Sequence, residues 1–219
     1  MARADARQPA AKDKAYAFVK RQVLRGEYPG GELISEGEVS EALGMSRTPV
    51  REAFLRLEVE GLLRLYPQRG ALVVPVSSEE VQAVLEARSL LERFAVEKVV
   101  EGSATARQAL LGTLREHLER QHSLAAEDET EAFLEEDRLF HAALLDAAGN
   151  VLLNRFYGSL RERQVRMTAV SVLTDEGRRE TILAEHAEIA DAVGAGDLER
   201  ARTAVLTHLA STRTALGFG

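Results

Sequence analysis

The chain has no cysteine among its 219 residues. That absence excludes disulfides, thiolate metal centres and cysteine nucleophiles, and it accords with an expected cytoplasmic location. No apolar run reaches the ~18–20 residues that a membrane-spanning helix needs. The N-terminal stretch has no apolar core of the kind that marks a secretory leader, so no leader is expected. No internal repeat is visible, and no H-E-x-x-H offers metallopeptidase chemistry. What remains is the composition of an ordinary globular protein, 45% hydrophobic and 29% charged, long enough for two modest domains.

The net charge of −7 is unevenly distributed. Residues 1–76 carry 12 Lys and Arg against 10 Asp and Glu, whereas residues 77–219 carry 16 against 25, so +2 in the first part meets −9 in the second. Nucleic-acid binding depends on the local field at the contact face, and the global sign does not oppose it. Between Met45 and Arg51 stand two arginines and no acid.

The stretch from Tyr28 to Pro75 is the most informative. Glu36 to Leu43 can form a short helix, Gly44 supplies a permissive turn, and Ser46 or Thr48 can cap a second helix with Pro49 in its first turn. From there Val50, Ala53, Phe54, Leu57 and Leu62 recur at helical spacing, while Arg47, Thr48 and Arg51 fall at the helix start beside solvent. Such a helix can enter a major groove by its N-terminal end. Leu62–Tyr66 and Ala71–Pro75 read as strands joined by the turn Pro67-Gln68-Arg69-Gly70, a wing with Arg69 at its tip. Before this stretch, residues 1–11 read as a disordered tail carrying Arg3 and Arg7, and 11–26 as a helix.

From Ser77 every segment has helical periodicity. Ser77 or Ser78 caps a helix running to about Gly102, and further helices are expected over 104–126, 128–147, 150–173, 176–194 and 197–216. Connections this short imply an antiparallel bundle. The expected fold is mainly α: a winged helix-turn-helix over 1–76, then an all-α bundle over 77–219.

Within the bundle, polar groups fall on apolar stripes. Asp137 and His141 lie one turn apart among Phe133, Leu134, Phe140, Leu144 and Leu145. His186 shares a stripe with Ile182, Leu183, Ile189 and Val193, and His208 shares one with Ala204, Val205, Leu209 and Thr212. Buried separately, each needs a partner. Gathered around one ion, three imidazoles and a carboxylate make a site for Zn²⁺, Ni²⁺, Mn²⁺ or Fe²⁺, with Zn²⁺ the first choice. A hydrogen-bonded Asp–His pair in a polar core is the other reading. His117 and His122 sit on a polar stretch and read as surface residues. Arg88 falls beside the stripe of Val81, Val84, Leu85 and Leu91, where it can clamp a carboxylate or pair with Glu92 one turn on. Arg155, Arg161, Arg163 and Arg166 read as a solvated basic face.

The pattern S-R-T-P-V-R-E-A at 46–53, with L-x-x-E-G-L and P-x-R-G-x-x-V after it, strongly resembles the GntR family of bacterial transcription factors. The long helical remainder is similar to its FadR-like branch. The resemblance implies a repressor that binds a near-palindromic DNA operator as a homodimer, with Ser46, Arg47, Thr48, Arg51, Arg69 and Gly70 at the DNA. It further implies a divalent metal held by Asp137, His141, His186 and His208, and a small carboxylate effector met by Arg88. Some family members carry an arginine where Gly37 stands here, so no contact is carried over for that position. A regulator for which the ion itself is the signal, and more remotely a metal-dependent hydrolase, are the alternatives.

Overall fold

The computed structural model describes residues 10–218 apart from 176. The tail with Arg3 and Arg7, and the side chain of Arg161, lie outside the described residues. Among these residues the chain forms ten helices and one three-stranded sheet, divided into two compact units that meet between Pro75 and Val76. Among the described residues no helix is long and apolar enough to cross a membrane.

In the first unit, α1 (Ala11–Leu24) buries Ala15, Val19 and Leu24. The helix α2 (Glu36–Leu43) begins with a capping box: Ser35 Oγ accepts from the Glu38 amide, and the Glu38 carboxylate accepts from the Ser35 amide. It ends at Gly44, whose φ of 61° provides the left-handed turn into α3 (Arg47–Val59). Val50, Ala53, Phe54 and Leu57 on one face of α3 fill the centre of the unit. Ser46 occupies the N-cap position of α3 but makes no side-chain cap hydrogen bond, so the expected hydroxyl cap from Ser46 or Thr48 is absent.

The wing strands are β2 (Leu63–Tyr66) and β3 (Gly70–Val73), shifted by a residue or two from expectation because pairing, not hydrophobicity, sets their ends. A strand that the pattern did not reveal, β1 (Leu33–Ile34), pairs antiparallel with β3 and gives the order β1-β3-β2. Two residues are too few for a period to register. Gly70 allows this pairing: its φ is +99°, and a Cβ there would stand 2.3 Å from the Ile34 carbonyl oxygen.

The second unit is a helical bundle of α4 (Ser78–Val100), α5 (Ala104–Ala126), α6 (Thr130–Ala148), α7 (Val151–Ser159), α8 (Arg161–Thr174), α9 (Arg178–Ala195) and α10 (Leu198–Ala215). Ser77 caps α4 by accepting from the Glu80 amide, and Asp197 caps α10 by accepting from the Arg200 amide. The single helix expected over 150–173 is two helices. At the break the Leu160 amide bonds back three residues to the Tyr157 carbonyl, and the Ser159 hydroxyl takes the Phe156 carbonyl. Gly158 adds weak helix propensity at the same turn, so the ladder tightens and restarts. The helices α5 and α6, and α9 and α10, pack as neighbours, with α4 against α6 and α10. Their apolar faces form one core from Val81 to Leu216. The polar side chains of the candidate metal centre lie inside that core.

Candidate DNA interface and candidate metal centre

Ser46, Arg47, Thr48 and Arg51 are all exposed at the start of α3, and Arg69 is exposed in the wing turn. Arg47, Arg51 and Arg69 line a concavity of about 740 Å³ together with Ser35, Glu36, Gly37, Glu58 and Gly70, whereas Ser46 and Thr48 lie outside its lining. The wing is tied to the helix it flanks: Glu58 Oε1 accepts from the Leu65 amide at 2.8 Å. Arg51 Nε stands 3.9 Å from Glu36 Oε1, a loose and largely solvated ion pair. Three guanidiniums from two elements therefore face one concave surface. Gly70 lines it too, although its glycine is required by the close approach of β1.

In the bundle, His141 on α6, His186 on α9 and His208 on α10 are buried and face one another. One ring nitrogen from each lies within 4.8 Å of the others, and His186 Nε2 is 3.1 Å from His141 Nε2. Each histidine meets a polar group at its Nδ1. Gln121 Oε1 accepts from His186 at 2.8 Å, Glu185 Oε2 lies 2.9 Å from His208, and Glu92 Oε2 lies 3.0 Å from His141. The last contact is bent, and neither of its atoms has a well-aligned hydrogen bond. Partners at Nδ1 select the tautomer that leaves Nε2 with its lone pair turned inward. Phe140 stacks flat on His186 at 4.0 Å and holds that ring in place.

Electrostatics favour the ligand form of these rings. Burial, reinforced by the neighbouring His141, pushes His186 and His208 well below the usual histidine range, so both are neutral with a free lone pair. Asp137 is buried and raised by that burial; its Oδ1 is 3.7 Å from His186 Nε2, and Thr168 donates to its Oδ2 at 3.3 Å. The three histidines are the tight set, with the carboxylate just beyond them.

Arg88 is paired with Glu92 at 2.7 Å inside the core, so the intrahelical pairing is present. The pair is more than a surface bridge. Glu92 also accepts from Tyr157 Oη at 2.8 Å, and despite the cost of burial Arg88 holds its carboxyl far below the usual range. Arg88 Nη2 remains buried without a partner, and so does Gln121 Nε2. Residue patterning had not singled out Gln121, Glu185, Tyr157, Thr168 or Arg178. Gln121 was the most accessible of them, since it falls seven residues beyond Leu114 on the buried face of α5. Arg178 is buried at the start of α9 and hydrogen-bonds Ser211 and Thr212. Arg166, expected on a solvated face with Arg155 and Arg163, is buried and bound to Glu80 because α8 turns that side toward α4; Arg155 and Arg163 are exposed. His122 is exposed, and His117 is half-buried in a pair with Glu136.

Two family models match the chain: bacterial regulatory proteins of the gntR family over residues 11–73, and the FCD domain over residues 83–211. The chain is a GntR-family transcriptional regulator with an FCD domain. Among curated relatives of this GntR/FCD protein, an uncharacterized HTH-type transcriptional regulator in an unstable DNA locus of Streptomyces ambofaciens is 31% identical, over 89% of this chain and 80% of the relative. The galactonate operon transcriptional repressor of Escherichia coli K12 is 29% identical, over 91% of this chain and 94% of the relative. Among solved structures, a putative GntR transcriptional regulator from Rhodococcus sp. RHA1 shares the fold with a TM-score of 0.70 at 22% identity, covering 94% of this chain and 97% of that one. These are DNA-binding regulators and not enzymes, which removes the hydrolase alternative.

Proposed function

We propose that this GntR/FCD regulator is a homodimeric repressor, acting in the cytoplasm, whose affinity for a near-palindromic DNA operator is controlled by a small carboxylate bound beside a divalent metal in the helical unit. Ser46, Arg47, Thr48 and Arg51 enter the major groove, and Arg69, with Gly70 shaping its turn, lies along the flanking backbone. His141, His186, His208 and Asp137 hold the ion. Support comes from the 3.1 Å between His186 Nε2 and His141 Nε2. Two nitrogens bound to one ion at ~2.1 Å stand roughly 3.0–3.4 Å apart. Without an ion, the same spacing needs one Nε2–H to donate to the other ring.

The observation that carries the effector reading is Arg88 Nη2, a buried cationic donor with no partner, beside the histidines and the similarly unpartnered Gln121 Nε2. A buried donor left unpaired is costly, and an entering carboxylate removes that cost. When bound, the ion would supply Lewis-acid attraction for the same carboxylate, which requires a Zn²⁺, Ni²⁺, Mn²⁺ or Fe²⁺ whose coordination expands beyond the four protein ligands. The bound acid changes DNA affinity only by binding one arrangement of the dimer better than another. For the homodimer, support lies in Leu90 and Phe94 on α4 and Leu152 and Phe156 on α7, apolar side chains left exposed on two helices that touch.

The test is a thermal-shift screen of small carboxylic acids on metal-loaded protein. Galactonate leads the panel because a relative represses a galactonate operon. An acid that raises the melting temperature should alter the operator Kd by about 5–150-fold, and Arg88→Ala should abolish both effects. DNA affinity that follows free metal with every acid inert would replace this reading with a metal-responsive one.

A further inference from the structure

We infer that Gly37 is a specificity-determining residue of the DNA interface: the missing side chain gives the Arg47 guanidinium its place across the first turn of α2, and so sets which base pair Arg47 reads. The inference rests on the reading that Arg47 faces DNA.

Nothing in the local backbone calls for glycine at 37. The residue lies within α2 and is not among the glycines with positive φ. In a helix, glycine is a weaker choice than alanine or leucine. The capping box beside it uses Ser35 and Glu38, and neither of those bonds depends on the residue between them. The space beside residue 37 is bordered by Arg47 of α3. A Cβ on residue 37 would meet Arg47 Nη2 at 3.4 Å, Ser35 Oγ at 3.6 Å and Arg47 Cζ at 3.8 Å. A methyl group fits there at ordinary contact distance, whereas a longer side chain competes with the guanidinium for the same space.

Arg47 is open to such displacement. It is exposed at the first position of α3, and among the described residues no carboxylate pairs with it. Its neighbour Arg51 is restrained differently, by Glu36 at 3.9 Å. Shape alone, supplied by Gly37, therefore places the Arg47 head group. A guanidinium reads guanine through two parallel hydrogen bonds, and that geometry tolerates little displacement.

The test is selection from a randomised double-stranded DNA pool with the full-length protein and five variants: Gly37→Ala, Gly37→Leu, Gly37→Gln, Arg47→Ala and Arg47→Ala combined with Gly37→Leu. Wild type and Gly37→Ala should enrich the same half-site. Gly37→Leu, Gly37→Gln and Arg47→Ala should each lose the preference at one and the same base pair, by about tenfold. Adding Gly37→Leu to Arg47→Ala should change nothing further. Leucine is the better helix former, so Gly37→Leu should melt at or above wild type, and Gly37→Gln repeats the test with a polar side chain. Selection of the wild-type site by both Gly37→Leu and Gly37→Gln would overturn the role of Gly37 and leave Arg47 standing. Selection of the wild-type site by Arg47→Ala would overturn the Arg47 reading and this inference with it.

Discussion

His186 Nε2 stands 3.1 Å from His141 Nε2, although the two residues are 45 positions apart and on different helices. His186 is held from behind by a hydrogen bond to Gln121, and the Glu92 carboxylate lies 3.0 Å behind His141. Bracing of this kind is how a protein orients imidazole ligands before an ion arrives.

Purified protein should accordingly contain about one divalent transition metal per chain by elemental analysis. Chelation should lower the melting temperature by roughly 5–10 °C, the effect of an ion held at ~100-fold its Kd on a chain of this size. His141→Ala should lose both the metal and the chelator response. Metal-free protein with unchanged melting would reduce the three histidines to a polar core.

The Arg88–Glu92 pair lies in the bundle core at 3% and 0% side-chain exposure. Glu92→Gln removes the charge that neutralises Arg88, and stability should fall by about 3–5 kcal/mol in urea unfolding. Replacing both residues with methionine should cost much less, because no buried charge is then left alone. A double replacement as damaging as the single one would show that the pair holds the core by more than charge.

Arg47→Ala and Arg51→Ala should each weaken specific operator binding by about tenfold or more while helical content and melting stay at wild-type values. Both side chains are exposed, so neither variant disturbs packing. Arg69→Ala should instead weaken all DNA alike and reduce the salt slope by about one. Fluorescence anisotropy across a salt series separates the two behaviours.

Gly70→Ala should destabilise the first unit by about 2 kcal/mol or more, since the residue has φ +99° and a Cβ would stand 2.3 Å from the Ile34 carbonyl. Loss of DNA binding in this variant should therefore come with a lower melting temperature, unlike the loss in Arg47→Ala. Equal melting would make Gly70 a DNA contact alone.

Leu90→Glu and Leu152→Glu alter side chains that are 72% and 75% exposed. Neither should affect folding of the chain, and both should shift sedimentation from dimer toward monomer if this face joins two copies.

Periodicity and turn chemistry settled most of the architecture in advance. The helix-turn-helix and wing are local structures, and their signals, a left-handed Gly44, the α3 stripe through Phe54 and the glycine turn at 70, sit within a few residues of what they specify. The inward faces of His141, His186 and His208 were equally legible, because a polar residue on an apolar helical stripe must point into the core. Periodicity could not show which side chains meet. Gln121, Glu185 and Tyr157 are ordinary polar residues until α4, α5, α6, α7, α9 and α10 pack and bring them against the histidines and Glu92. The two-residue strand at Leu33–Ile34 and the inward turn of Arg166 depend on distant neighbours in the same way, whereas the break at Leu160 rests on local bonds. Sequence by itself determined the face each helix buries, since burial follows from a repeat along one chain. Only tertiary packing decided the pairings across helices, because those contacts join residues whose separation along the chain carries no periodic signal.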